Sequence, residues 1–320
     1  MNPHFSGRRT RVLGAVMALL GLPVVIALVE AASFNVVNRH NGAMVSSGEN
    51  REYLVYVPRT YDRARKTPLV ISMHGGGLWG AGQQEISQWN RVADEQGFIV
   101  VYPSGVGPLA RLRAWRASGG AGSQKDVRFI SDLIDTLALA YNIDATRVYA
   151  DGLSNGGGMA FVLSCLLSDR IAAVGLVASA QFLPWAGCPD HRPVPVIAFH
   201  GTADKQAWYK GGTSWVARKL VFPSIEAWIA AIAQRNRCGP NPVDSMVAKD
   251  VRRREYSKCA EEAPVVLYTI LGGGHTWPGG GPMPEWFAGP TSHSIDASRE
   301  MWKFFLEHPL PQTHDAAQLP

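Results

Sequence analysis

The sequence predicts an α/β fold, a mostly parallel sheet with helices on both faces. Short, continuous apolar runs recur along the chain, and stretches of helical period lie between them. Glycine-rich turns directly follow four of the apolar runs, as at the carboxyl ends of strands in an open α/β sheet.

The elements can be justified in turn. "REYLVYVP" (51–58) alternates and stops at a proline, which suits an early antiparallel strand. "TPLVISMH" (67–74), "GFIVVYP" (97–103), "RVYAD" (147–151), "AAVGLVAS" (172–179), "VPVIAFH" (194–200) and "PVVLYTIL" (264–271) each read as a short apolar run. Strands buried on both faces read this way. In "DVRFISDLIDTLALAYN" (126–142) Ile130, Leu133, Ile134, Leu137 and Tyr141 recur at helical spacing, and Ser123 with Asp126 has capping-box spacing in front. "FPSIEAWIAAIAQRN" (222–236) and "SIDASREMWKFFLEH" (294–308) are the other helical stretches. With 320 residues, 46% hydrophobic and 18% charged, the composition is that of a globular chain.

The amino-terminal segment reads as a targeting signal. Arg8, Arg9 and Arg11 precede an uncharged apolar stretch from Val12 to Val29, and Val29 and Ala31 suit cleavage before Ala32. Residues 1–31 are therefore expected to be a signal peptide, 32–308 the catalytic domain and 309–320 a loose tail. The expected location is secreted or periplasmic. An uncleaved membrane anchor is the alternative, weakened by Gly21 and Pro23 inside the apolar stretch. Residues 1–31 carry three arginines and one glutamate, so the net charge of +5 falls by 2 to near +3 on cleavage. The run Arg252-Arg253-Arg254 reads as a solvated face, and no nucleic-acid partner or stable membrane partner is expected. Cys165, Cys188, Cys238 and Cys259 are an even set, compatible with disulfides after export. Three pairings are open; the expected one joins sequence neighbours, Cys165–Cys188 and Cys238–Cys259. No Cys/His spacing suits zinc, and neither metal nor cofactor is expected.

The chemistry-bearing residues follow the apolar runs. His74-Gly75-Gly76-Gly77 follows the first. Gly152-Leu153-Ser154-Asn155-Gly156, a G-x-S-x-G pattern, follows another. His200-Gly201-Thr202-Ala203-Asp204 and Gly272-Gly273-Gly274-His275-Thr276-Trp277 follow two more. G-x-S-x-G between strand and helix is the nucleophile-elbow pattern, in which small neighbours let strand and helix approach. A serine hydroxyl is a weak nucleophile until a base takes its proton. His275 is the candidate base and Asp204 the acid that orients it, with Asp190 as the rival carboxylate. The order Ser154, Asp204, His275 is that of α/β-hydrolases. Candidate oxyanion donors are the N–H of Asn155 and those of Gly75, Gly76 and Gly77. His74 reads as shaping the oxyanion loop, His200 as a buried, hydrogen-bonded strand-end residue, and Trp115 as packing. Trp277 and Trp89 are candidates for the substrate pocket.

These blocks carry a resemblance. "YLVYVP", "LVISMHGGG", "WNRVADEQGFIVVYPSG", "RVYADGLSNGGGMA", "IAFHGTAD", "GGGHTWPGG" and "SIDASREMWKFF" are similar to segments of the secreted polyhydroxybutyrate depolymerase and feruloyl esterase family of α/β-hydrolases. The resemblance implies Ser154, Asp204 and His275 as a triad, and disulfides. It departs where Gly158 precedes a single Met159 instead of a methionine pair, and at Asp151, where a small residue is usual. The expected function is a serine esterase acting through an acyl-enzyme on a small or oligomeric ester. Candidates are feruloyl or acetyl esters of polysaccharide, or hydroxyalkanoate oligomers. The alternatives are an inactive hydrolase-fold binding module and a serine peptidase of the same fold.

Overall fold

A computed structural model describes residues 39–107, 113–189, 192–213 and 221–311. The expected signal peptide, Asp190 and most of the expected tail lie outside the described residues.

In chain order the elements are β1 (Gly42–Ser46), β2 (Glu49–Tyr56), β3 (Thr67–Met73), α1 (Gly80–Ser87), α2 (Trp89–Gln96), β4 (Ile99–Pro103) and α3 (Gly120–Ala140). Then come β5 (Ile143–Leu153), α4 (Asn155–Leu166), β6 (Val174–Val177), β7 (Val196–Gly201), β8 (Gly212–Thr213), β9 (Val221–Phe222) and α5 (Ile225–Arg235). β10 (Val243–Ala248), β11 (Val251–Tyr256), β12 (Val265–Ile270), α6 (Glu285–Ala288) and α7 (Ala297–Leu306) complete the described part.

Ten strands form one sheet in the order β1-β2-β4-β3-β5-β6-β7-β12-β11-β10. From β4 to β12 every neighbouring pair is parallel, while β1, β2, β10 and β11 pair antiparallel. The strand period of two divides the apolar side chains between two layers. Leu69, Ile71, Ile99, Val101, Val148 and Ala150 share a core with Phe129, Ile130 and Leu133 of α3 and Trp228 and Ile229 of α5. On the opposite face Tyr149 stacks on Phe305 of α7 at 4.7 Å between ring centres, and Phe98 stacks on Trp302 at 3.9 Å. Burial on both faces is why the central strands lack alternation.

Two disulfides join residues close in sequence. Cys165 bonds Cys188, and Cys238 bonds Cys259. No helix among the described residues is long and apolar enough to cross a membrane.

One expectation is corrected. Ser123 and Asp126 are not a capping box, because α3 starts at Gly120 and both residues are buried inside it. Ser123 Oγ accepts the Gly119 N–H and donates to the Arg116 carbonyl. Asp126 Oδ1 takes the buried Arg51 guanidinium at 2.7 Å, and Oδ2 the Arg116 N–H at 2.8 Å. A buried arginine requires such a partner, and that demand overrides capping.

Candidate active site

Ser154 lies between β5 and α4 with φ 54° and ψ −116°, a conformation disfavoured for any L-residue. Three hydrogen bonds hold it there. Its N–H donates to Val177 O at 2.8 Å, and its carbonyl accepts Ser179 Oγ and the Gly158 N–H, both at 2.9 Å. The glycines permit the sharp turn. A Cβ on Gly152 would sit 2.3 Å from the Gly156 carbonyl carbon, and one on Gly156 would sit 2.2 Å from Met73 O. Strand β5, helix α4 and the end of β3 therefore meet backbone to backbone.

That meeting brings the glycine loop after β3 to the serine. Cβ positions built on Gly75 and Gly76 lie 3.6 Å from Ser154 Cβ and 3.8 Å from Asn155 Cβ. Asn155 opens α4, so its N–H has no intrahelical acceptor. Its side chain clamps a neighbour: Oδ1 accepts the Trp115 N–H at 2.6 Å, and Nδ2 donates to Trp115 O at 3.0 Å. Gly77 is different, since its N–H is already donated to Arg113 O at 2.8 Å. An N–H bonded to a carbonyl is not free for an oxyanion, so Gly77 leaves the set of candidate donors.

His74 shapes this loop. It is fully buried, its Nδ1–H donates to Gly75 O at 2.7 Å, and Nε2 accepts the Gly105 N–H at 2.9 Å. Burial pushes its pKa down to about 4 against the hydrogen bond to Gly75, so the ring is neutral at ordinary pH. The indole N–H of buried Trp115 donates to His74 O at 3.1 Å.

The loops after β7 and β12 are stitched together. Gly201 ends β7 and Ile270 ends β12, which are paired. Thr202 N–H donates to Ile270 O at 2.9 Å, Ala203 N–H to Gly273 O at 2.9 Å, and Gly272 N–H to Thr202 Oγ1 at 2.8 Å. His275 Nδ1 then donates to Asp204 Oδ2 at 2.8 Å. The second oxygen, Oδ1, accepts the N–H groups of Gln206 and Ala207, both at 2.8 Å. Burial alone would raise the Asp204 pKa. Hydrogen bonds from His200 and His275 outweigh it and hold the carboxyl well below the usual carboxylate range.

The two candidate pocket tryptophans are corrected. Trp277 is 1% exposed, and its indole N–H donates to Ser298 Oγ at 3.0 Å, away from solvent. Trp89 is completely buried against Phe98 and Phe305. A residue with no free surface cannot wall an open pocket. The exposed aromatics stand elsewhere on the same two loops: Trp208 at 48% after Asp204, Trp286 at 88% and Phe287 at 48% after His275. Gln206 Nε2 ties the loops by donating to Phe287 O at 3.2 Å. The signal was a Trp-Phe pair in a Gly/Pro-rich stretch, where a core role is improbable. A cavity of about 390 Å³ lined by Gly280, Met283, Glu285 and His293 lies on the base loop. A larger one of about 1090 Å³ involves Lys66, Thr146, Arg192 and Glu261, near the start of β5 and remote from Ser154 at its other end.

The fold and this strand-end arrangement define an α/β-hydrolase. Residues 51–185 match the esterase PHB depolymerase family. The chain is 30% identical over 235 residues to feruloyl esterase B of Piromyces equi, covering 70% of this chain and 42% of that protein. It is 33% identical over 157 residues to the bifunctional acetylxylan esterase/xylanase XynS20E of Neocallimastix patriciarum, covering 49% of this chain and 22% of that protein. The chain thus spans less than half the length of either relative. An acetyl xylan esterase structure from Aspergillus awamori superposes with a TM-score of 0.58 at 15% identity, covering 82% of this chain and 98% of that one, and supports the fold. Over residues 51–185 the chain thus carries the match to the esterase PHB depolymerase family, and it is similar to feruloyl and acetylxylan esterases.

Proposed function

We propose that the chain is an exported carboxylic-ester hydrolase that works through an acyl-enzyme on Ser154. The observation that carries this reading is the buried Asp204–His275 hydrogen bond of 2.8 Å on the strand-end layer that also bears the strained Ser154. In the proposed cycle His275 takes the Ser154 hydroxyl proton as Oγ bonds to the ester carbonyl carbon. The N–H of Asn155 and that of Gly75 or Gly76 stabilise the resulting oxyanion. The protonated His275 gives its proton to the leaving alcohol as the C–O bond breaks. Water then attacks the acyl-enzyme by the same route, releasing the acid and restoring Ser154. Asp204, held ionised by its hydrogen bonds, fixes the His275 tautomer and stabilises its charged form. The scheme routes no step through a metal.

The substrate classes proposed are feruloyl or acetyl esters on polysaccharide and hydroxyalkanoate oligomers. The relatives' names and the family description support these, and so do exposed Trp208 and Trp286 beside the acid and base. Residues 1–31 are proposed as the signal peptide, 32–308 as the catalytic domain and 309–320 as the tail. The two disulfides suit an oxidising compartment.

The test is hydrolysis of p-nitrophenyl acetate, methyl ferulate and hydroxybutyrate oligomers by the purified protein, with Ser154→Ala beside it. Turnover on at least one substrate is expected. Ser154→Ala should lower kcat by several orders of magnitude, as removals of triad nucleophiles do. A folded Ser154→Ala protein with near-normal turnover would refute the assignment.

A further inference from the structure

Asp204 has two histidine neighbours. His200 stands at the end of β7, four residues before Asp204, and its ring is buried. Its Nε2 lies 2.7 Å from Ala207 O and 3.3 Å from Asp204 Oδ2. A carbonyl and a carboxylate are both acceptors, so Nε2 must carry a proton to satisfy them. Ala207 is itself bound to the acid, since its N–H donates to Asp204 Oδ1 at 2.8 Å. One imidazole N–H therefore fastens the far side of the 204–207 turn and reaches the oxygen that receives His275.

We propose that His200 is a positioning residue for the acid–base pair: its Nε2–H holds the 204–207 turn so that Asp204 Oδ2 faces His275, and takes a share of that oxygen's charge. The proposal rests on reading Ser154, Asp204 and His275 as the triad. Two consequences follow from the geometry. Without the Nε2–H the turn loses its tie to β7, and Oδ2 is free to swing from the His275 line. The remaining carboxylate charge also bears on His275 alone, which favours the imidazolium. The ionisable side chains acting on Asp204 are His200 and His275 themselves, and Tyr209 faces His200 edge-on with ring centres 6.0 Å apart. A residue that merely filled space would leave the ionisation of His275 unaltered.

The experiment compares wild type, His200→Asn, His200→Gln and Asp204→Asn on p-nitrophenyl acetate across pH, with circular dichroism to verify folding. Asparagine is polar but too short to place a donor at the Nε2 position; glutamine reaches it. His200→Asn is expected to lower kcat roughly 10–100-fold with KM within about two-fold, the signature of lost alignment. The acid limb of kcat/KM should move up by about half to one pH unit. His200→Gln should return kcat to within about five-fold of wild type and the limb to its place, because the N–H donor is restored. A folded His200→Asn protein with normal kcat and an unmoved limb overturns the proposal. So does a folded His200→Gln protein impaired by more than about twenty-fold, which decides the question alone if His200→Asn does not fold. Asp204→Asn separates the two readings. A loss on the order of 10⁴ there, with none in His200→Asn, sinks only the role of His200. Undiminished turnover in Asp204→Asn sinks the triad reading beneath it.

Discussion

Asp151 sits on β5 three residues before Ser154 and has no exposed surface. Ser72 Oγ donates to its Oδ1 at 2.6 Å, and Gln83 Nε2 donates to Ser72 Oγ at 3.0 Å. Burial prevails over the hydrogen bond from Ser72 and lifts the carboxyl to about 8. The same group ionises near 3.9 in an unfolded chain. Between those values the folded protein holds a proton that the unfolded protein has released. Stability contributed by this group is therefore complete below about pH 4 and is lost as pH rises, at about 1.4 kcal/mol per pH unit. The loss levels off once Asp151 ionises in the folded chain too, above about pH 8. From about pH 6 to about pH 9 the decline comes to roughly 3 kcal/mol. Asp151→Asn keeps the size and the carbonyl acceptor for Ser72 but cannot ionise. Urea unfolding of both proteins across this range, disulfides intact, measures the difference. The wild-type stability should fall relative to the asparagine variant by roughly that amount, other titrating groups cancelling in the comparison. Parallel stability curves would refute the claim that Asp151 is held neutral.

Three further outcomes are expected. The kcat/KM of wild type should fall on acidification, because an imidazole that already carries both protons cannot take the Ser154 hydroxyl proton; a profile with no acid limb would contradict a histidine base. Replacing Cys165 and Cys188 together by alanine should cost roughly 3 kcal/mol on the chain-entropy model, given a sequence separation of 23, read as a lower urea midpoint. Truncating exposed Trp208 and Trp286 to alanine should raise KM for polysaccharide-borne esters while leaving p-nitrophenyl acetate kinetics within about two-fold, because only a large substrate spans both aromatic faces; equal effects on both substrates would place the tryptophans elsewhere in the cycle.

Strands buried on both faces were legible because burial leaves no room for polar residues. β3, β4, β6, β7 and β12 coincide with apolar runs, whereas for β5 only the buried second half does and its polar start, Ile143 to Thr146, was not legible. α1 was not legible. Its sequence GAGQQEIS offers little apolar period, because small and polar residues such as Gly80 and Gln83 pack inside. β10 is exposed along nearly its whole length, so nothing imposes a pattern on it. The Arg252–Arg254 run reads as a solvated face from sequence; in β11 these arginines pair with Glu226, Glu255 and Asp244. Trp277 shows a second limit. Adjacency to His275 says nothing about direction, and the ring turns inward to Ser298, whose Oγ donates to Ser87 O at 2.6 Å. The spacing of His200 and Asp204 was visible, but their contact depends on a turn that only three dimensions reveal.

The strained serine ties these observations together. A backbone held at φ 54° and ψ −116° costs on the order of 1–3 kcal/mol. Besides the Gly158 N–H of α4, its restraints come from β6, the four-residue strand that separates β5 from β7, and the residues just after it. Val177 O receives the Ser154 N–H, and Ser179 just beyond the strand donates to Ser154 O. Ala178 between them has φ 46° and donates its own N–H to Phe199 O of β7, the residue before His200. The serine turn is thus anchored to β6, and β6 is anchored to β7, the strand that precedes Asp204. β7 in turn is paired with β12, the strand that precedes His275. Ser154 follows one strand and Asp204 and His275 follow two others, yet a continuous set of backbone hydrogen bonds fixes the relation of those strand ends. Loop insertions can alter the surroundings without disturbing that frame, so substrate preference is free to vary while the strand-end geometry stays constant.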